Sequence, residues 1–171
     1  MAQSDTYIIH MDSSNMPKES IRVEKSDSGR ATVPGRVDPV WPESKRYDDD
    51  GMTDDPARWK GTCESDTQFN SSLCNKKLIG ARYFNKGMLA KYKNITTMNS
   101  TRDTEGHGTH TSSTAVGSLV KGEYYFGYAP GTAIGVAPKA HVAVYKAIWE
   151  GGAISSDILA AMDQAVSDGV V

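Results

Sequence analysis

Apolar positions are unevenly spread along the chain. Leu, Ile, Val and Phe number 29 of 171 residues, of which 9 fall in residues 1–75 and 20 in residues 76–171. The second half is therefore expected to hold the core. Residues 5–11 (DTYIIHM) read as a short β-prone run, and residues 12–35 sustain neither a period of 2 nor one of 3.6. An acidic, proline-bounded loop follows at 42–57, with Asp50-Gly51 as its turn. Residues 77–84 (KLIGARYF) predict a strand in which Gly80 marks a bulge or a close backbone approach. The polar stretch 87–105 predicts an exposed loop. The small residues of 109–117 (THTSSTAVG) suit a closely packed helix, and the β-branched run 140–149 (AHVAVYKAIW) a buried strand. Ser155 or Ser156 is expected to cap the last helix, with Asp157 in its first turn. Ile158, Leu159, Met162, Ala165 and Val166 form its predicted buried face, and Gly169 its stop. Val170-Val171 then open a further strand, so the pattern is a strand–helix–strand crossover.

Charge narrows the partners. Lys and Arg total 19 and Asp and Glu 21, for a net charge of −2, which argues against nucleic acid or an anionic membrane. No apolar run reaches the 18 or so residues of a membrane span. The first residues, Met1 to Asp5, lack the basic and apolar regions of a signal peptide. Against that, three of six asparagines (Asn70, Asn94 and Asn99) stand in N-x-[ST] sequons, and the chain carries two cysteines, Cys63 and Cys74. These features suggest a secretory, oxidising route.

Histidines supply the candidate chemistry. His107 and His110 stand in EGHGTHT at 105–111. Glycine on both sides of His107 permits tight turns and leaves its imidazole accessible, as a general base requires. Two ordinary histidines at a helix terminus would read the same way. A zinc site would need a third ligand, such as His141, and the i, i+4 spacing of H-E-x-x-H is absent.

The segment DTEGHGTHTSSTA at 103–115 closely resembles the catalytic-histidine segment of subtilisin-like serine proteases (subtilases). VWPES at 40–44, DDGM at 49–52, WKGTC at 59–63, CNKKLIGAR at 74–82, YAPGTA at 128–133, APKA at 137–140, AVYK at 143–146 and SDILAA at 156–161 extend the resemblance, and narrow it to the plant, cucumisin-like type. DTYIIHMD at 5–12 with MPK at 16–18 resembles the opening of that family's inhibitory propeptide. The resemblance implies an α/β fold, the N-terminal part of a doubly wound parallel-sheet domain, incomplete in these residues. It divides the chain into a propeptide remnant (1–18), an irregular junction (19–39) and the N-terminal portion of a catalytic domain (40–171). It further implies a secreted serine endopeptidase acting on polypeptides without cofactor or metal, a disulfide between Cys63 and Cys74, and His107 as the triad base.

The sequence also departs from the family pattern. Asp-Thr-Gly is expected directly before VWPES, but RVDP stands at 36–39, so the available acid, Asp38, lies one residue too close to Val40. Asp38 is the candidate triad acid, set against a plain solvated aspartate. The family's oxyanion Asn and nucleophilic Ser match nothing in these 171 residues. The sequence therefore predicts a chain inactive by itself, with two other readings beside the protease: a non-catalytic decoy that binds a protease or peptide, and a small metal-binding protein using His107, His110 and His141.

Overall fold

The computed structural model describes residues 42–93, 99–149 and 152–170. The run 5–11, the irregular stretch 12–35, Asp38, Asn94 and Val171 lie outside the described residues. At the centre are two parallel strands, β1 (Leu78–Tyr83) and β4 (Val142–Lys146), with Leu78 opposite Val142 and Tyr83 opposite Lys146. Between them in sequence come helix α1 (Lys86–Lys91), helix α2 (His107–Val116) and a hairpin of β2 (Val120–Tyr125) and β3 (Tyr128–Ala133). A two-residue ladder of β5 (Ile148–Trp149) and β6 (Gly152–Ala153) leads into helix α3 (Ser155–Ser167).

Strand alternation sends side chains to both faces of the sheet. Leu78, Ala81 and Val142 pack with Tyr47, Phe69, Val116, Ala137 and Ala140 on the α2 side. Ala143 and Tyr145 pack with Ala147, Ala161, Ala165 and Val170 on the α3 side. Helices on both faces of a parallel pair make this the expected α/β arrangement.

Gly80 marks the bulge expected of it, and its close neighbour is a side chain rather than backbone. The ladder shifts register between Leu78 and Gly80, and a Cβ there would lie 2.6 Å from the Trp59 ring. The run 140–149 is buried but divides into β4 and β5 at Ala147. Gly169 ends α3 with φ +85°, and the bonds from Gly169 N–H to Val166 and from Val170 N–H to Ala165 (3.1 and 3.0 Å) form a Schellman cap.

Three expectations need correction. The buried face of α3 is Asp157, Ala161 and Ala165, whereas Leu159, Met162 and Val166 are 52–64% exposed. The helix packs on β4 and α1, and its contact with the strand is made by Ala161 and Ala165, which share one core cluster with Ala143 and Tyr145. Neither Ser155 nor Ser156 caps α3: the N-cap position is Ile154, and the Asp157 carboxylate accepts instead from Gly87 and Met88 N–H in the first turn of α1. The stretch 87–105 is not all exposed loop, because it contains most of α1 and because Ser100, Thr101 and Asp103 are buried.

Candidate functional site

His107 is the first residue of α2, and its placement follows from the residues around it. Gly106 precedes it as N-cap with φ +80°, a left-handed conformation that reverses the chain just before the helix. The buried carboxylate of Asp103 then closes the turn. Its Oδ1 accepts N–H bonds from Glu105 and Gly106 at 2.9 and 2.8 Å, and its Oδ2 accepts the N–H and the hydroxyl of Thr109, each at 3.0 Å. Asp103 thus satisfies donors at the start of a helix whose N-cap residue has no side chain to offer, and its negative charge suits the helix N-terminus. The His107 side chain lies outside this cage and is exposed.

Behind the cage, α2 is seated on the core by its small residues. Gly108 and Ser112 are buried, and the Ser112 hydroxyl meets the hydroxyl of Tyr47. Burial pushes the Tyr47 phenol up to about 12, against the opposing effect of its hydroxyl partners. Val116 is fully buried between Tyr47, Leu78 and Val142. Backbone bonds from Gly135, Val136 and Ala137 N–H to Gly117, Thr114 and Ala115 fix the far end of the helix.

The hydroxyls near His107 in sequence have structural partners. Thr109 donates to Asp103, Thr111 to the Gly108 carbonyl, and Ser112 to the Thr109 carbonyl beside Tyr47. Their geometry is that of a helix interior and its cap, not of a serine aimed at an imidazole.

The three histidines of the metal reading do not converge. His110 is exposed on α2, whereas His141 is 1% exposed. Its Nδ1–H donates to the Lys76 carbonyl at 2.6 Å, and its Nε2 lies 3.2 Å from the Thr53 hydroxyl. With both ring nitrogens engaged, His141 is a core histidine. Among the described residues no three His, Cys, Asp or Glu side chains form a metal-binding group.

Cys63 and Cys74 form a disulfide with a Cα–Cα separation of 6.3 Å. Asn70 is exposed and caps the 3₁₀ turn Ser71–Leu73, its Oδ1 accepting from Ser72 N–H at 2.9 Å. Asn99 is exposed, and its Oδ1 accepts from the side-chain amide of Asn85 at 2.7 Å. Asp103 is the functional residue that motif reading undervalued. Its signal is an acid three positions before a glycine, where a short carboxylate can reach back to free backbone N–H groups.

Comparison with known proteins gives the family. The peptidase S8 model, described as the subtilase family, matches residues 62–171. The subtilisin-like protease SBT3 of Solanum lycopersicum is 60% identical over 132 residues, covering 77% of this chain and 17% of that protein. The subtilisin-like proteases SBT1.7 and SBT1.9 of Arabidopsis thaliana are 56% and 51% identical over 134 and 152 residues, covering 77% and 85% of this chain. These 171 residues span a fifth or less of the curated relatives named here, which are matched over 17%, 18% and 20% of their lengths.

Proposed function

The chain belongs to the subtilase family, and from that premise we propose that it is the histidine-bearing portion of a serine-type endopeptidase. The observation that supports this most is the seating of His107: an exposed imidazole on the first turn of a helix whose start is caged by a buried carboxylate. In the whole protein His107 takes the proton from the attacking serine hydroxyl. It returns that proton to the leaving amine as the peptide bond breaks. Asp38 is the candidate for the orienting acid, one residue too close to Val40 for the family's position, and a plain solvated aspartate is the reading set against it.

The serine and the oxyanion donors are not supplied by these residues. No Gly-Thr-Ser or Gly-x-Ser-x-Gly stretch occurs in them, and the hydroxyls around His107 are held by Asp103, Gly108, Thr109 and Tyr47. By themselves the 171 residues hydrolyse no peptide bond at an enzymatic rate, because positioned nucleophile and oxyanion stabilisation supply most of the rate enhancement. Residues 1–18 are assigned as a propeptide remnant, 19–39 as a junction, and 40–171 as the first part of the catalytic domain.

The disulfide and the sequons support a secreted, extracellular protein bearing glycans at Asn70, Asn94 and Asn99, with polypeptides as its substrates. Among the described residues no helix is long and apolar enough to cross a membrane.

A fluorophosphonate probe tests the assignment, because it labels only an activated serine. The whole protein is expected to label at one serine, His107→Ala to abolish that labelling, and the 171 residues alone to take up no probe. Labelling that survives His107→Ala, or stoichiometric labelling of the 171 residues, overturns it. A whole protein that binds peptide but takes up no probe is the decoy of the alternative reading.

A further inference from the structure

We propose that the loop closed by Cys63 and Cys74 is a positioning element for His107, and that it acts through the carboxylate of Asp66. The inference rests on the reading of His107 as the triad base, and its argument begins with how firmly the loop is fixed. Cys63 pairs with Ala81 in an isolated parallel bridge, with Glu64 N–H bonded to the Ala81 carbonyl and Ala81 N–H to Thr62. At the tip of the loop Phe69 is 5% exposed within the core on the α2 side of the sheet. Inside the loop, Asp66 N–H bonds to the Phe69 carbonyl at 2.8 Å, and Asp66 Oδ1 accepts from Gln68 N–H at 2.9 Å. The disulfide, the bridge to β1 and the buried Phe69 make the loop a rigid base.

From that base, three consecutive residues reach the segment that leads into α2. Asp66 Oδ2 accepts both the N–H and the hydroxyl of Thr101, at 2.7 and 2.9 Å. Thr67 donates its N–H and its hydroxyl to the Asn99 carbonyl at 3.3 and 2.8 Å. The Gln68 carbonyl accepts from Arg102 Nε. Thr101 is 5% exposed and Asp66 is half-buried, so the Thr101 end of these bonds is sheltered from water. Two residues further on, Asp103 organises Glu105, Gly106 and Thr109 around His107.

The exposed His107 ring therefore takes its position from the backbone cage, and the cage hangs on residues 99–102. The other end of α2 has its own anchors in Tyr47 and residues 135–137. Lys146 holds the Arg102 carbonyl from the sheet side at 2.6 Å. Loss of Asp66 therefore loosens the entry to α2 without detaching it.

The test is amide exchange and histidine NMR on the oxidised 171-residue chain. Asp66→Ala is expected to raise exchange at Gly106 and Thr109 about tenfold or more, and to leave amides of Val142–Lys146 within about twofold of wild type. The His107 ring signal should broaden or double while those of His110 and His141 stay single. Asp66→Asn retains an acceptor for Thr101 N–H and should restore most of the protection. Reduction of the disulfide should act in the same direction as Asp66→Ala.

The proposal is overturned if Asp66→Ala frees the Thr101 amide while Gly106, Thr109 and the His107 signal keep their wild-type behaviour. Should Asp66→Ala also release the core amides, the reduced wild-type chain decides. Selective loss at Gly106 and Thr109 then supports the proposal, and unchanged protection there overturns it. Because the readout is the position of the imidazole and not turnover, this outcome is separate from serine labelling of the whole protein.

Discussion

Asp157 stands in the first turn of α3, yet its carboxylate accepts the backbone N–H of Met88 at 2.9 Å and ties that helix to the start of α1. Gly87 N–H binds the other oxygen at 2.7 Å, and Asp157 is 3% exposed. A carboxylate this deep, accepting two main-chain donors, is a tertiary cap between helices. Asp157→Ala leaves both donors without their partner in a buried place. It is expected to destabilise the domain by about 2 kcal/mol, read from the midpoint of urea unfolding. Asp157→Asn, which keeps one acceptor, should lose less.

Gly169 offers a sharper steric test. Its φ is +85°, and a Cβ there would fall 2.1 Å from the Arg58 carbonyl oxygen, closer than atoms can approach. Gly169→Ala is expected to lower stability by more than the ~1 kcal/mol of an ordinary left-handed alanine, because the 58–60 segment must also move. Thermal unfolding of the variant checks it, and an unchanged midpoint would show that the segment yields freely.

Two buried groups set opposite pH dependences at alkaline pH. Burial and the nearby Lys139 push Lys77 down to about 8 from an ordinary 10.5, while burial pushes Tyr47 up to about 12 from 10.0. Between about pH 8 and 10.5 the unfolded chain holds a proton that folded Lys77 has released. Its contribution therefore grows as pH rises and is lost as pH falls through 8. Tyr47 contributes fully below 10, and its contribution is lost as pH rises from 10 to 12. Unfolding midpoints should climb from pH 8 towards 10 and then fall. Lys77→Met should flatten the climb, and Tyr47→Phe should remove only part of the fall, because burial and the Asp168 carboxylate push the Tyr145 phenol up as well.

The disulfide closes a short loop, with Cys63 and Cys74 separated by 11 positions. In the chain-entropy picture such a closure contributes roughly 2–3 kcal/mol. Replacing both cysteines by serine should lower unfolding stability by about that amount, and thiol titration of oxidised wild-type material should find no reactive groups.

What the sequence made legible is mostly what short-range chemistry decides. The strand around Gly80, the small-residue helix after Gly106 and the stop at Gly169 each follow from a few adjacent residues. The face of α3 was misjudged because periodicity weights large apolar side chains. Packing on β4 is instead made by Ala161 and Ala165, and Leu159, Met162 and Val166 face outward. Burial at Thr101 and Asp103 was hidden because the groups that hold this segment, Asp66 and Lys146, lie 35 and more positions away in sequence. The β2–β3 hairpin was missed for a local reason. Its turn is Phe126-Gly127 with φ +47° and +82°, and Phe at the first position gives none of the Asn-Gly or Asp-Gly signal that such turns usually carry. At the site, the flanking glycines anticipate the exposure of His107, which an ordinary helix-terminus histidine would share, but the cage around it is not legible, since Asp103 reads in sequence as one more acid in a polar stretch.

The pairing of Leu78 with Val142 also bears on how the domain assembles. The central ladder joins strands that are remote in sequence, and two helices and a hairpin lie between them. Closing so long a segment has an entropic penalty that must be met before any sheet contact rewards it, so high contact order places this ladder late in folding. By the same rule α3, built from neighbouring residues, is expected to form before the ladder. Until β1 arrives, the apolar stretch Val142–Lys146 has no strand beside it. The yield of native chain on refolding should therefore fall as protein concentration rises, because unpaired β4 then meets other chains before its own partner.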